Sequence, residues 1–589
     1  MKEIGKVFES TESTIKIKLN AVENFEQNKN DIKIGKYLTV QEGNLNYILV
    51  TILNIKTIEG QNEKEIEYHI ETQPVGSYYE EGEIVDFKQG SVNIPSPTEP
   101  VFIPGKKTIN KIFAKSDIYS YRMGRLSNND SVDYYVNGNK FFSKHIGVVG
   151  STGSGKSCSV AKMIQQVAGI DNASNLNKGH KKNSHIIIFD IHSEYKNAFS
   201  LNESEEFTLN NLDVEKINIP YWLMNSEELE SLFIESNEMN SHNQISQFKR
   251  AVILSKEKHN PDREITYDMP VYFDIKEVYN FIYNLNNEVI SKMDGEYGKP
   301  KLKNGHLIEK IEEYLEDIYE FVPSSQSKDS KAGNGPFNGE FERFLTRIET
   351  KLNDKRLDFI TKPKNENGED FKTEDFGKIL KQFIGYIDKS NISIIDLSGI
   401  PFEVLSITVS LVSRLIFDFA FHYSKNRHII DEQNDIPFMI VCEEAHNYIP
   451  KEGGAEYNAS KKSIERIAKE GRKYGLSLMV VTQRPSEVSE TIFSQCNNFV
   501  VLRLTNFNDQ NCVKRLLPDN NSALVDGLPT LAAGEALVVG DATTIPAIIK
   551  MDLPNPKPKS DSVDFYSEWN KEWIDIDLTD TIKRWRNES

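Results

Sequence analysis

Gly147-Val148-Val149-Gly150-Ser151-Thr152-Gly153-Ser154-Gly155-Lys156-Ser157 holds an intact GxxxxGK[ST] phosphate loop, Gly150 to Ser157. An apolar run, Ile146 to Val149, precedes it, and a helical pattern with Val160, Ala161, Met163 and Ile164 follows. Strand, loop, helix is the context that separates a true phosphate loop from a Gly/Ser-rich turn. Its glycines let successive backbone N–H groups turn inward around a triphosphate, and the helix N-terminus adds a favourable dipole. The expected ligand is ATP, with Gly150, Ser151, Thr152, Gly153, Ser154 and Gly155 as the cradle. Lys156 would meet the β- and γ-phosphates, and the Ser157 hydroxyl would hold Mg²⁺.

Working outward, the same apolar brevity recurs at His185 to Phe189, Ile392 to Ile395, Phe438 to Val441, Ser477 to Val481 and Phe499 to Leu502. Such runs fit strands buried on both faces of a mostly parallel sheet, which makes the core α/β. The core reads as two pieces, 144–200 and 391–550. Between them, 201–390 shows helical periodicity, for example Leu229, Leu232 and Phe233 behind a capping-box-like Asn225 and Glu228, and reads as an inserted helical subdomain. Residues 323–339 and 362–370 read as exposed loops within it. Residues 1–90 alternate with period two, as in Ile15, Ile17 and Leu19 or Ile48, Val50 and Ile52, which suggests a small antiparallel β-barrel. Pro95, Pro97, Pro100 and Pro104 then mark 91–143 as a linker with entry strands, and 551–589 is a C-terminal tail.

A phosphate loop binds but does not hydrolyse. Hydrolysis needs an acidic group at a neighbouring strand end, acting through the metal or on the attacking water. Glu443 and Glu444 follow the apolar run Phe438 to Cys442, and adjacent side chains at a strand end point in different directions. Glu443 is expected in the Mg²⁺ shell through water, and Glu444 on the lytic water. Gln483 ends another run, beside Thr482 and Arg484, and is placed to sense the γ-phosphate or position water. Asp190 ends a third and joins the expected nucleotide-binding set, although a structural cap explains it equally well; Asp396 reads as readily as a turn aspartate. Lys461, Lys462, Arg466, Lys469, Arg472 and Lys473 surround the apolar stripe Ile464, Ile467 and Ala468. A solvated basic face accounts for that pattern, and so does an arginine finger, with Arg466 or Arg472 reaching a neighbouring subunit's nucleotide. His446 reads as a packing or hydrogen-bonding residue, since no second ligand lies at helical spacing.

With 589 residues, 38% of them hydrophobic and 27% charged, the chain suits more than one folded domain. Seventy basic residues against eighty-eight acidic ones leave a charge of −18, so any nucleic-acid contact must be local rather than spread over a basic surface. The four cysteines, Cys158, Cys442, Cys496 and Cys512, form neither a disulfide framework nor a zinc pattern, and a reducing compartment follows. The N-terminus lacks the order of a secretory signal. Arg414 and Asp418 interrupt the apolar stretch from Leu405 to Phe421, which therefore reads as a buried helix and not a membrane span. A cytoplasmic protein without a membrane partner is expected.

Together the pieces resemble the HerA family within the HerA/FtsK branch of ring-forming ATPases: GVVGSTGSGKS (147–157), FDIHSEY (189–195), CEEAHNYIP (442–450), RIAKEGRKYG (466–475) and VTQRP (481–485). The resemblance implies a RecA-like P-loop core and a homohexamer that hydrolyses ATP at subunit interfaces and translocates or unwinds double-stranded DNA. It further implies a partner docked on the N-terminal barrel: a nuclease of NurA type, or a nuclease or sirtuin-type NAD-consuming effector as in bacterial anti-phage systems. A nucleotide-controlled scaffold that activates such an effector is the alternative. By the same analogy the segment after Leu531, with Gly534 and Gly540, packs back on the core, and the tail braces a neighbouring subunit. Glu443 stands where many related ATPases carry aspartate. A conjugative coupling ATPase fits less well, because those usually carry N-terminal membrane helices.

Overall fold

Short, continuously apolar runs can satisfy their backbone only between other strands. In the computed structural model all six become strands of one eleven-stranded sheet: His145–Val149, His185–Asp190, Ile392–Asp396, Phe438–Cys442, Leu476–Thr482 and Cys496–Leu502. The structure describes residues 3–59, 66–90, 93–113, 118–170, 183–200, 209–234, 241–327, 330–452, 458–517, 522–559 and 563–586. The expected boundaries at 91 and 201, the first two residues and 587–589 lie outside these.

Across the sheet the order is Leu209–Leu212, Ile392–Asp396, His185–Asp190, Phe438–Cys442, Leu476–Thr482, His145–Val149 and Cys496–Leu502, all parallel. Four antiparallel strands complete it: Glu535–Gly540, Ala547–Met551, Ser120–Leu126 and Asn129–Asn137. Alternate side chains sort to opposite faces, as period two requires. Val149, Val480 and Val501 pack with Val409 and Val412 of helix Phe402–Ile429 and with Ile464 and Ile467 of helix Asn458–Glu470. Val148, Met479 and Val500 pack instead with Val160, Met163 and Ile164 of helix Lys156–Ala168. Burying each such side chain stabilises by about 1.5–3 kcal/mol, so a one-residue slip of a strand is heavily penalised.

The N-terminal strands close on themselves. Glu3–Ser10, Ile15–Leu19, Ile66–Glu81, Asn46–Glu59, Tyr37–Glu42 and Pro100–Phe102 pair in a ring, and Ile84–Lys88 extends the hairpin outside it. Ile4, Val7, Ile17, Val40, Val50, Ile70 and Val101 fill the interior. The proline-rich stretch, expected to be unable to continue a ladder, supplies the closing strand. Pro100 is its first residue, where a missing N–H is tolerated, and Val101 inside the barrel supplies the burial that holds it.

The insertion is mixed rather than wholly helical. It carries helices Ser226–Phe233, Ser241–His259, Ile275–Asn287, Glu342–Asn353 and Phe376–Phe383, but also contributes the edge strand Leu209–Leu212 and a small antiparallel pair, Val289–Ser291 with Ala332–Asn334. That pair runs through part of 323–339, where Ala332 is buried rather than in an exposed loop.

The capping box forms as expected: Asn225 Oδ1 accepts from Glu228 N–H, and Glu228 Oε2 accepts from Asn225 N–H, both at 3.0 Å. Glu228 is fully buried and also pairs with Arg414 at 2.8 Å, which explains how the long helix Phe402–Ile429 tolerates a cation within its apolar length. Val404–Ile429 is, among the described residues, long and apolar enough to cross a membrane, but 78% of its most apolar window is buried inside the chain. Arg414→Ala would strand the Glu228 carboxylate without its cation. It is expected to destabilise the fold by about 3–5 kcal/mol, read as a lowered urea midpoint; an unchanged midpoint would refute the pairing.

Candidate nucleotide-binding site

Parallel pairing brings the C-terminal ends of the core strands to one edge. Val149 is level with Thr482, and Cys442 with Val480, so the phosphate loop, Glu443–Glu444 and Gln483 all emerge there although some three hundred residues separate the first from the last. Leu476–Thr482 lies between the loop strand and the carboxylate strand, which leaves room for a ligand between them.

The loop is tied down at both sides. Gly150 N–H donates to Thr482 O at 3.3 Å, and Ser151 N–H to Arg503 O at 2.8 Å. Glycine is required at Gly150 by close approach, since a Cβ there would lie 2.6 Å from Ser154 Oγ and 2.8 Å from Leu502 Cβ. Gly155, the N-cap of the loop helix, needs glycine because its φ is +99°. The buried Ser154 Oγ has no hydrogen-bond partner among the described residues. From the far side Gly534 N–H donates to the Ser154 carbonyl at 3.0 Å, so the segment after Leu531 does pack against the loop.

Lys156, 7% exposed, points its ammonium at Glu444, with Nζ 3.9 Å from Oε1. Glu444 sits on a left-handed backbone, φ 43° and ψ 48°, a strained geometry that turns it away from its neighbour. Its other oxygen accepts a long bond from Gln483 N–H at 3.4 Å and lies 3.3 Å from His446 Nδ1. Glu443 is nearly buried, and Tyr195 O–H donates to its Oε2 at 2.8 Å. Burial, reinforced by the adjacent charge of Glu444, pushes the Glu443 carboxyl up to about 8, which Tyr195 and Lys156 offset only in part. Gln483 reaches back to the loop, where Thr152 O–H donates to its Oε1.

Asp190 is brought to the same edge, but its carboxylate is engaged by the backbone N–H groups of His192, Glu194 and Tyr195, the last at 2.9 Å. Asp190 thereby shapes the turn that delivers Tyr195 to Glu443. Asp396 likewise accepts from Ser193 and Ser398 and caps a turn.

The two arginines stand apart from this cluster. Arg466 pairs with Asp418 at 3.5 Å and lies over the Phe417 ring at 4.2 Å. Arg472 is exposed, makes a 3.4 Å contact with Asn497, and precedes the strand whose far end carries Gln483. Seven residues at roughly 3.3 Å each put it about 20 Å from the loop of its own chain.

Among the described residues no group of three or more His, Cys, Asp or Glu forms a metal cage. Ser157 and Glu443 nonetheless fit Mg²⁺, which prefers oxygen donors and draws most of its shell from phosphates and water. The ammonium of Lys156 pairs with Glu444, while Glu443 is held by the Tyr195 hydroxyl and raised chiefly by its burial, with the neighbouring Glu444 charge adding to it. The roles of Tyr195 and Gly534 are not legible in local pattern. A tyrosine in a turn and a glycine far along the chain acquire meaning only through long-range contact.

The family model described as "Helicase HerA, central domain" matches residues 121–416, running through the insertion and stopping short of Glu443. The chain is 24% identical over 564 residues to a probable helicase of Methanocaldococcus jannaschii, covering 93% of this chain and 89% of that protein. It is 26% identical over 494 residues to the DNA double-strand break repair helicase HerA of Sulfurisphaera tokodaii, covering 83% and 80%. Among solved structures, the plasmid coupling protein TrwB in complex with the ATP analogue ADPNP aligns over 78% of this chain and 95% of that one, at 11% identity and a TM-score of 0.43.

Proposed function

The chain belongs to the HerA helicase family, and from that premise we propose that it is an ATP-driven translocase of double-stranded DNA working as a homohexameric ring. The observation that carries the reading is the meeting of Lys156 and Glu444 at one strand edge.

Lys156 and the N–H groups of Gly153, Gly155, Lys156 and Ser157 hold the β- and γ-phosphates, while those of Gly150, Ser151 and Ser154 fix the shape of the loop. Glu444 orients a water and takes its proton as the water oxygen bonds to the γ-phosphorus. The bond from that phosphorus to the β–γ bridging oxygen breaks, releasing ADP and phosphate. Gln483, tied to Thr152, senses the γ-phosphate. Ser157 and Glu443 would hold Mg²⁺, which when bound would neutralise charge on the phosphate oxygens. Tyr195 keeps Glu443 in place.

Arg472 is the better candidate for a finger in trans. Arg466 is paired with Asp418 and stacked on Phe417, whereas among the described residues the side chain of Arg472 makes only a 3.4 Å contact with Asn497, at the opposite end of the sheet. A head-to-tail ring brings that end of one subunit to the loop end of the next. The tail supports the same assembly. Tyr566, Trp569, Trp573, Ile576 and Trp585 are 80%, 77%, 103%, 75% and 85% exposed, an apolar display that calls for cover, and we assign it to bracing a neighbouring subunit. The barrel, with its own core, is the docking platform for an effector of nuclease or sirtuin type, in DNA end processing or anti-phage defence.

The test is ATP turnover by the full chain with and without duplex DNA, alongside sedimentation. Hydrolysis stimulated by DNA and weakened steeply by salt is expected, with a hexamer in solution. Three of the four tryptophans lie in the tail, so their emission should shift to the blue on assembly. Hydrolysis indifferent to DNA by a monomer would overturn the proposal, and stimulation by the effector alone would favour the scaffold.

A further inference from the structure

Resting on the hydrolytic reading above, the geometry points to His446 as the positioning residue that orients Glu444 when the triphosphate is bound. Glu444 has three anchors: Lys156 Nζ at 3.9 Å from one oxygen, with Gln483 N–H at 3.4 Å and His446 Nδ1 at 3.3 Å from the other. A triphosphate engages Lys156 and so removes it as the counter-ion of Glu444. The Gln483 contact is at the long limit of a hydrogen bond. His446 Nδ1, at 3.3 Å, is then the nearest remaining polar side-chain atom to a carboxylate with three rotatable bonds.

That hold is itself anchored. His446 Nδ1 lies 3.1 Å from Thr482 Oγ1, and Thr482 Oγ1 accepts from Arg484 N–H at 3.0 Å. The Thr482 carbonyl accepts from Gly150 N–H at 3.3 Å, so the imidazole is referenced to the strand against which the phosphate loop is built. In the neutral tautomer protonated at Nδ1, the single N–H lies between Thr482 Oγ1 at 3.1 Å and Glu444 Oε2 at 3.3 Å, so a small turn of the Glu444 side chain lets it take up that donor. A general base displaced by an ångström loses much of its rate while ligand binding is untouched.

Steady-state ATPase assays and binding of a fluorescent ATP analogue on full-length variants test this. His446→Ala is expected to lower kcat by about 10- to 100-fold, with KM and analogue affinity within about twofold. His446→Asn keeps a donor at the δ position and should recover most of the loss. Thr482→Val, of the same shape without the hydroxyl, should lower kcat in the same direction. A kcat for His446→Ala within twofold of the unaltered chain would overturn the assignment, as would equal losses in the alanine and asparagine variants accompanied by a raised KM. Should His446→Ala fail to fold, Thr482→Val decides, and an unchanged kcat there sinks the idea. Glu444→Gln serves as control: an active chain silenced by it upholds the hydrolytic reading whatever His446 does, and an inactive unaltered chain refutes that reading instead.

Discussion

Glu444→Gln silences ATP turnover, by about 10²- to 10⁴-fold, and leaves ATP bound. Glutamine keeps the volume of glutamate and an oxygen for the Gln483 N–H, so the strained left-handed turn at this position and its neighbours stay in place. What it lacks is a basic oxygen to take the proton of the attacking water. Binding survives because the phosphate contacts come from the loop backbone and Lys156, neither of which depends on Glu444 for shape. Single-turnover hydrolysis and equilibrium binding of a fluorescent ATP analogue separate the two effects. Turnover near that of the unaltered chain would remove Glu444 from the chemistry.

Lys156→Ala is expected to fail earlier, at binding. Its ammonium is the cation that faces Glu444, and it is 7% exposed in a pocket that also holds Glu443. Truncating one member of such a desolvated pair costs about 2–5 kcal/mol. Here the remaining carboxylates would confront an anionic triphosphate, so affinity should fall by about 30-fold or more, the lower end of that range converted. Turnover should vanish with it. Calorimetric or fluorescence titration of the variant that returned an unchanged Kd would mean the triphosphate is held elsewhere.

The two variants differ in a way that tests the architecture. Loss of binding in one and loss of chemistry alone in the other is what a shared pocket demands, with an anion cradle on one strand and a base on the next but one. If both lost only binding, Glu444 would be a structural partner of the lysine.

Much of this was open to reading from the chain. The phosphate loop, the apolar strands on either side of the insertion, the capping box at Asn225 and the twin glutamates are local patterns, and their physics is local too: inward N–H groups, two-sided burial, an N-cap, a strand end. The proline-rich stretch misleads because proline's missing donor matters only at certain ladder positions, and Pro100 occupies a tolerated one. The arginines of helix Asn458–Glu470 and of the turn after it carry the same charge and similar spacing. Only folding separates Arg466, stacked on Phe417 and paired with Asp418, from Arg472, which touches Asn497 at the end of the sheet.

Residue chemistry and short-range periodicity were enough to define a nucleotide cradle, a parallel core and a candidate base. They could not say that Leu476–Thr482 inserts between the cradle and the base, that Asp190 works through Tyr195, or that His446 leans on Glu444. Those relations depend on which strand lies beside which, and strand order in a parallel sheet is set by crossover packing between segments hundreds of residues apart, to which no local window of composition is sensitive.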